Sequence, residues 1–155
     1  MQDFFVTRRL RLWFSVLAVL LAVVLAGCDN PPEDSPADEV QQRLVGTWLR
    51  EYDEEGAHIR RVLVLESGGK FHEMSTVLAP GTQEKQESQA EGEWLFDGTN
   101  LKRRYASING KPVSAPIMPF ATFEISFPSR SEFVGVDHIH KREVHYERVV
   151  EGTEP

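Results

Sequence analysis

From Val45 onward, short runs rich in β-branched and aromatic residues recur along the chain, and no long helical period interrupts them. This pattern constrains the fold most, because such runs form strands rather than helices. Residues that tolerate positive φ and close hairpins separate the runs at 67–69, 97–98 and 109–110. Consecutive hairpins imply an antiparallel meander. We expect strands near residues 46–52, 58–66, 70–78, 89–96, 100–108, 119–127, 132–138 and 143–150.

The clearest alternation lies in the sixth of these runs. Apolar residues there occupy one face and polar residues the other, which is typical of a half-buried strand. The apolar face comprises Ala121, Phe123, Ile125 and Phe127. About eight such strands can close into an up-and-down barrel whose interior holds one small ligand. The expected fold class is therefore all-β, with an antiparallel up-and-down barrel over residues 37–150 and a disordered tail at 151–155. Pro112, Pro116 and Pro119 mark a longer connection before the sixth strand.

A short helix is expected just before the barrel. Ser35 precedes Pro36 and Asp38, an arrangement typical of a helix start. Val40 and Leu44 lie four residues apart on one face, so a helix over 38–44 would plug one end of the barrel. A surface turn explains the same pattern equally well.

The amino-terminal segment has the build of a secretory signal. Three arginines at positions 8, 9 and 11 precede an apolar run from Leu12 to Ala26. This run is shorter than the about 20 residues that a membrane-spanning helix needs. It ends on Leu25, Ala26, Gly27 and Cys28, which together resemble the bacterial lipobox. The resemblance implies a signal peptide at 1–27, cleaved before a lipidated Cys28. The alternative is an uncleaved membrane anchor with an incidental cysteine.

The segment after the cysteine predicts how the domain is held at the envelope. Residues 28–36 are acidic and proline-rich and form an extended tether. Acyl chains on Cys28, at about 0.8 kcal/mol per buried methylene, would anchor the protein to the membrane with its domain facing the periplasm. Asp29 resembles the signal that retains Gram-negative lipoproteins on the inner membrane. The net charge of −7 argues against nucleic acid and against electrostatic docking on anionic lipid.

Three short motifs resemble the lipocalin-like (calycin) domains of small bacterial lipoproteins. They lie at residues 44–48, 92–94 and 146–149, with sequences Leu-Val-Gly-Thr-Trp, Gly-Glu-Trp and Tyr-Glu-Arg-Val. The resemblance spans about residues 44–150. It implies that Trp48 lies at the bottom of the barrel and that Arg148 lies against the Trp48 ring. A guanidinium over an indole would tie the first strand to the last and close the barrel.

Aromatic and basic residues at inward positions suggest a ligand cavity. Such a lining suits a small amphiphilic molecule, although the same side chains can equally fill a solid core. The candidate cavity residues are Arg50, Tyr52, Trp94, Phe96 and Tyr105, with Arg103 beside the last of them. The basic clusters at 60–61 and 102–104 are otherwise interpreted as solvated strand positions.

Two weaker patterns are of the kind found in metal-binding or catalytic sites. His138, His140 and His145 are candidates for a metal site, but no Glu or Cys at metal-motif spacing accompanies them, so no metal or other cofactor is expected. Glu91 and Glu93 share a strand face and could serve as an acid–base pair, although a solvated strand face gives the same pattern. The sequence has no nucleophile motif of the Gly-x-Ser-x-Gly type and no phosphate-cradling glycine loop before a helix. These features favour a non-enzymatic protein.

Two functions remain open at this point. The first is a lipid-anchored barrel that binds a small or amphiphilic molecule at the cell envelope. The second is an envelope interaction or assembly lipoprotein with a filled barrel and a protein partner. A metal-binding lipoprotein is a third and weaker possibility. What lies inside the barrel distinguishes the first two, because a continuous cavity favours a ligand and an apolar outer patch favours a partner.

Overall fold

In a computed structural model, the described residues 35–82, 84–114 and 120–155 form one helix and nine strands. Helix α1 covers Pro36–Leu44. The strands are β1 (Gly46–Glu54), β2 (Ala57–Leu65), β3 (Lys70–Leu78), β4 (Lys85–Phe96), β5 (Asn100–Ile108), β6 (Lys111–Pro112), β7 (Phe120–Ser129), β8 (Glu132–Asp137) and β9 (Arg142–Val149). The predicted signal peptide and residues 28–34 of the predicted tether lie outside the described residues.

The strands close into an antiparallel barrel of eight, as the sequence predicts. Neighbouring strands pair in chain order from β1 to β5, then β5 pairs with β7, and β7, β8 and β9 follow. The barrel closes where β9 pairs with β1, with Trp48 opposite Arg148. The two-residue β6 pairs with the end of β5 and, among the described residues, is the one strand that the sequence does not predict.

Local turn chemistry explains where the strands end. Asn109 and Gly110 both adopt positive φ, at 50° and 73°, and close the hairpin between β5 and β6. Of the three prolines expected in the following connection, Pro112 belongs to β6 and the other two lie outside the described residues. Asn109 and Gly110 therefore close a hairpin, as the sequence predicts.

Helix α1 starts one residue inside the predicted tether. The Ser35 side chain accepts a hydrogen bond from the Asp38 backbone, and the Asp38 carboxylate accepts one from the Ser35 backbone at 2.9 Å, which forms a capping box. The hydrogen bonds from Ser35 lower the pKa of Asp38. At the other end of the helix, Leu44 is fully buried. The helix thus seals one end of the barrel, which we call the closed end.

The hydrophobic core fills the closed end. Its residues come from α1 and from inward positions on the strands: Leu44, Trp48, Leu63, Leu65, Phe71, Trp94, Leu101, Phe133, Val144 and Tyr146. The apolar face predicted on β7 packs against this core through Phe123, Ile125 and Phe127. Residues 35–155 form one compact unit around it. Within the described ranges, no helix is long and apolar enough to span a bilayer.

The last five residues, which were expected to be disordered, come after β9 and contact the outer face of β2. The Thr153 hydroxyl donates to the Val150 carbonyl at 2.7 Å, and Arg60 Nε donates to the Glu154 carbonyl at 3.2 Å. Val62, which shares the outer face of β2 with Arg60, is fully buried. We infer that the tail covers this part of the outer surface.

Candidate functional site

The barrel interior is open at the end opposite α1. A cavity of about 390 Å³ lies there, lined by residues of the far half of β1 and of β2, β5, β7, β8 and β9. Six of its lining side chains are Arg50, Tyr52, Arg61, Arg103, Tyr105 and Phe123. A recess of about 410 Å³ elsewhere is lined by the exposed, ion-paired side chains of Lys70, Glu93, Lys102 and Arg104, so it is a surface groove. The interior cavity is therefore the candidate site.

The structure divides the predicted cavity residues into two groups. Arg50, Tyr52 and Tyr105 line the cavity. Trp94 and Phe96 do not, because β4 runs toward the closed end and places both of them in or against the core. Trp94 is 5% exposed, and its indole N–H donates to the Glu66 carbonyl at 2.9 Å. The assignment of these two residues to the cavity was wrong.

An ion cluster that the sequence did not predict lies at the bottom of the cavity. Arg103 is 3% exposed, and its Nη1 donates to the buried Glu73 carboxylate. Arg61 Nε lies 3.7 Å from the other oxygen of Glu73. The interpretation of the basic clusters as solvated was therefore wrong for Arg61, whereas Arg103 occupies the inward position beside Tyr105 that the sequence also suggested.

The outward neighbours of these two arginines behave as predicted. Arg60 binds the exposed Glu51 at 2.9 Å, and Arg104 donates to the exposed Glu93. Each pair of consecutive arginines thus sends one side chain inside the barrel and one outside, which is the two-residue period of a strand. The signal that could have identified Glu73 is its spacing from Phe71, because the two residues share a face of β3.

The cluster carries a net positive charge. Burial raises the pKa of Glu73, but the guanidinium groups of Arg103, Arg61 and Arg50 outweigh it and hold that pKa below its usual value. Glu73 is therefore ionised at neutral pH. Burial opposes the charged form of Arg103, but Glu73 raises its pKa, so Arg103 stays protonated. Two guanidinium groups thus lie against a single carboxylate, and Arg50, which pairs with Arg61 across β1 and β2, adds a third positive charge to the cavity.

Two donors of the cluster have no hydrogen-bond partner among the described residues. They are the Nε atoms of Arg61 and Arg103, and both are inaccessible to solvent. Buried donors without a partner are rare, because each costs about 1–3 kcal/mol. The guanidinium of Arg50 lies 3.9 Å from the centre of the Tyr52 ring, within the range of a cation–π contact.

At the closed end, Arg148 lies over Trp48, as the lipocalin resemblance implies. The Arg148 guanidinium is 4.2 Å from the centre of the indole. It also donates to the Val45 carbonyl at 2.9 Å and to the Arg43 carbonyl, so it ties the end of α1 to the last strand. Gly46, at φ 135°, lies beneath it, and a Cβ at this position would collide with Nη1.

We expect Arg148→Ala to lower the free energy of unfolding by about 2 kcal/mol, because it removes the contact with Trp48 and leaves two carbonyls at the helix end without their donor. Urea denaturation measures the change. Arg142→Ala on the same strand is the matched control, since Arg142 is exposed and lies 3.8 Å from its carboxylate partner. Equal curves for the two variants would show that Arg148 does not close the barrel.

The candidate metal ligands do not converge. His138 contacts Glu124 at 2.6 Å, and His140 contacts Asp137 at 2.7 Å. His145 lies between two carboxylates, whose hydrogen bonds raise its pKa and thus favour the protonated imidazole, which cannot bind a metal. In the part of the chain that the structure describes, no group of three or more His, Cys, Asp or Glu residues is placed to hold a metal ion.

The acidic pair on β4 lies on the outside of the barrel. Glu91 is 3.6 Å from His72. Hydrogen bonds from Lys70 and Arg104 lower the pKa of Glu93 to about 2. Such a carboxylate holds no proton at neutral pH and is unsuited to act as a general acid.

The comparisons with protein families and with curated proteins found no relative. No protein-family model matches the sequence, and no curated protein matches it significantly. The class of protein therefore follows from the fold: an eight-stranded antiparallel barrel, compatible with the lipocalin-like fold, filled at one end and open at the other.

Proposed function

We propose that the barrel binds one small or amphiphilic molecule in the cavity at its open end. The observation that carries this proposal is the cavity itself, whose volume of about 390 Å³ lies in the range of about 300–1,000 Å³ typical of small-molecule sites. Its lining combines the aromatic rings of Tyr52 and Tyr105 with polar and charged groups, of which Arg61 and Arg103 lie at the bottom. This composition fixes the orientation of a ligand while burying its apolar part.

The cavity limits the size of the ligand. Its volume is near the lower end of that range, and the core below it is filled by Trp48, Phe71 and Phe133. Such a space suits one short amphiphile better than a lipid with several long chains.

We further propose that the protein is a lipoprotein attached to the membrane through Cys28, with the barrel facing the periplasm. The sequence from Leu25 to Cys28 supports this proposal, and Asp29 favours the inner membrane in a Gram-negative host. The lipid would keep the binding domain beside the bilayer, where amphiphilic molecules concentrate.

The alternative of a filled barrel with a protein partner has less support. Large exposed apolar residues are candidates for such an interface. Leu95 and Phe120, which are 52% and 58% exposed, both line the surface groove, whereas Ile139 lies at the cavity mouth. Two apolar side chains make only a small patch, and binding of a small molecule accounts for the interior cavity.

Native mass spectrometry of the protein, expressed as the full chain and purified from its own host, tests the proposal. We expect an additional mass of one small molecule that is lost on denaturation. The denatured mass should correspond to a chain that begins at Cys28 and carries acyl groups. A bare barrel before and after denaturation would contradict ligand binding, and a mass without lipid would contradict the anchor.

A further inference from the structure

We propose that the ligand carries an anionic group and that Arg61, Arg103 and Arg50 bind this group at the bottom of the cavity. This inference rests on the proposed binding function and adds the chemical class of the ligand. Three features of the cavity support it: its charge, its free donors and the position of its apolar surface.

The first feature is uncompensated positive charge. The guanidinium groups of Arg61 and Arg103 lie against one carboxylate, that of Glu73, and that of Arg50 lines the same cavity. Buried charges are costly unless each is paired, so a site with excess guanidinium is stabilised by a further anion. The charges at the rim do not supply it, because Asp137 is bound to His140 and Glu54 lies 3.8 Å from Arg142.

The second feature is the pair of free donors. Arg61 Nε and Arg103 Nε are buried and have no hydrogen-bond partner among the described residues. The Arg103 side chain lines the cavity, and because both Nε atoms are closed to solvent, a bound anion gains these donors only when the guanidinium groups shift. Guanidinium donors are arranged in a planar fork that matches the oxygens of a carboxylate or a phosphate.

The third feature is the position of the apolar surface. Tyr52 and Tyr105 lie two residues beyond Arg50 and Arg103 on their strands, toward the open end. Ile139, which is 78% exposed, lies at the mouth. A molecule that enters with its anionic group first would place its apolar part against these side chains. Arginines at the bottom and aromatic surface above them together favour an amphiphilic anion.

A series of four probes with one alkyl chain tests this inference: octanoate, octyl phosphate, 1-octanol and octylammonium. Isothermal titration calorimetry is performed on the full chain in lipid nanodiscs, with empty nanodiscs as background. We expect at least one of the two anions to bind ten or more times more tightly than 1-octanol, and octylammonium to bind most weakly. The tighter of the two anions identifies a carboxylate or a phosphate ligand.

The outcomes separate the two proposals. If 1-octanol binds as tightly as both anions, the anionic class is overturned while ligand binding stands. If none of the four probes binds, the anionic class is also overturned, and the native mass of the purified protein decides the binding function independently.

Variants on one strand locate the anion. Arg61→Gln should weaken binding of the preferred anion about tenfold or more, whereas Arg60→Gln, which alters the outward neighbour, should leave it unchanged. Glu73→Gln removes the internal competitor for the arginines, so the same anion should bind more tightly and raise the melting temperature more than in the wild type. Equal affinities in the wild type, Arg61→Gln and Glu73→Gln would overturn the proposed site.

Discussion

Arg103→Leu is expected to lower the free energy of unfolding by about 3–5 kcal/mol, because it leaves the carboxylate of Glu73 buried without its main partner. Leucine keeps much of the apolar contact with Phe71 and removes only the charge and its donors. Arg61 remains 3.7 Å from Glu73 and compensates in part. Urea denaturation at neutral pH measures the loss.

Two further variants show whether the loss comes from the buried charge. Arg104→Leu alters the next residue on β5, whose exposed side chain binds Glu93 on the outer face, so its effect should not exceed about 1 kcal/mol. The double variant Glu73→Gln, Arg103→Leu removes both charges and should recover a large part of the stability. Equal stability of Arg103→Leu and Arg104→Leu would contradict a buried ion pair.

The strands were predictable because their signals are local. Residues such as Asn109 and Gly110 tolerate the positive φ that a tight turn requires. The alternation of apolar and polar residues on β7 can be seen in the sequence itself. The cap at Ser35 is equally local. The contact of Arg148 with Trp48 is not local, and only the resemblance to lipocalin-like domains implied it.

The residues that line the cavity were harder to predict, because both faces of a strand can carry buried apolar residues in this sequence. On β2, Leu63 faces the core and Val62 faces outward, yet both are buried. Apolar pattern therefore does not show whether Arg60 or Arg61 points inward. The tail covers Val62 from outside, and such coverage depends on residues distant in the chain.

Trp94 and Phe96 show a second limit of sequence reasoning. Their alternation correctly predicts a shared face, but a position along the barrel axis depends on strand direction and register. β4 ends at the closed end, so its last inward residues belong to the core. The sequence thus predicted which residues face inward on β4, and the register decided what they contact.

Cys28→Ser is the second variant with a large expected effect, because it should abolish lipid attachment completely. Serine has nearly the same size but lacks the thiol that forms the thioether to lipid. We expect the full precursor to accumulate uncleaved and to incorporate no labelled fatty acid in a bacterial host. Metabolic labelling followed by mass spectrometry of the denatured protein measures both effects.

Asp29→Ser is the matched control, because it alters the adjacent residue and leaves the thiol in place. This variant should still incorporate label and should still begin at Cys28. In a Gram-negative host, it should also move from the inner to the outer membrane if Asp29 acts as the retention signal. Labelling of Cys28→Ser at the wild-type level would exclude the lipobox and leave an uncleaved anchor as the explanation for the apolar run from Leu12 to Ala26. Loss of label in both variants would instead indicate that residues beyond the cysteine are needed for processing. The pair of variants therefore distinguishes lipid attachment at Cys28 from the choice of membrane by Asp29.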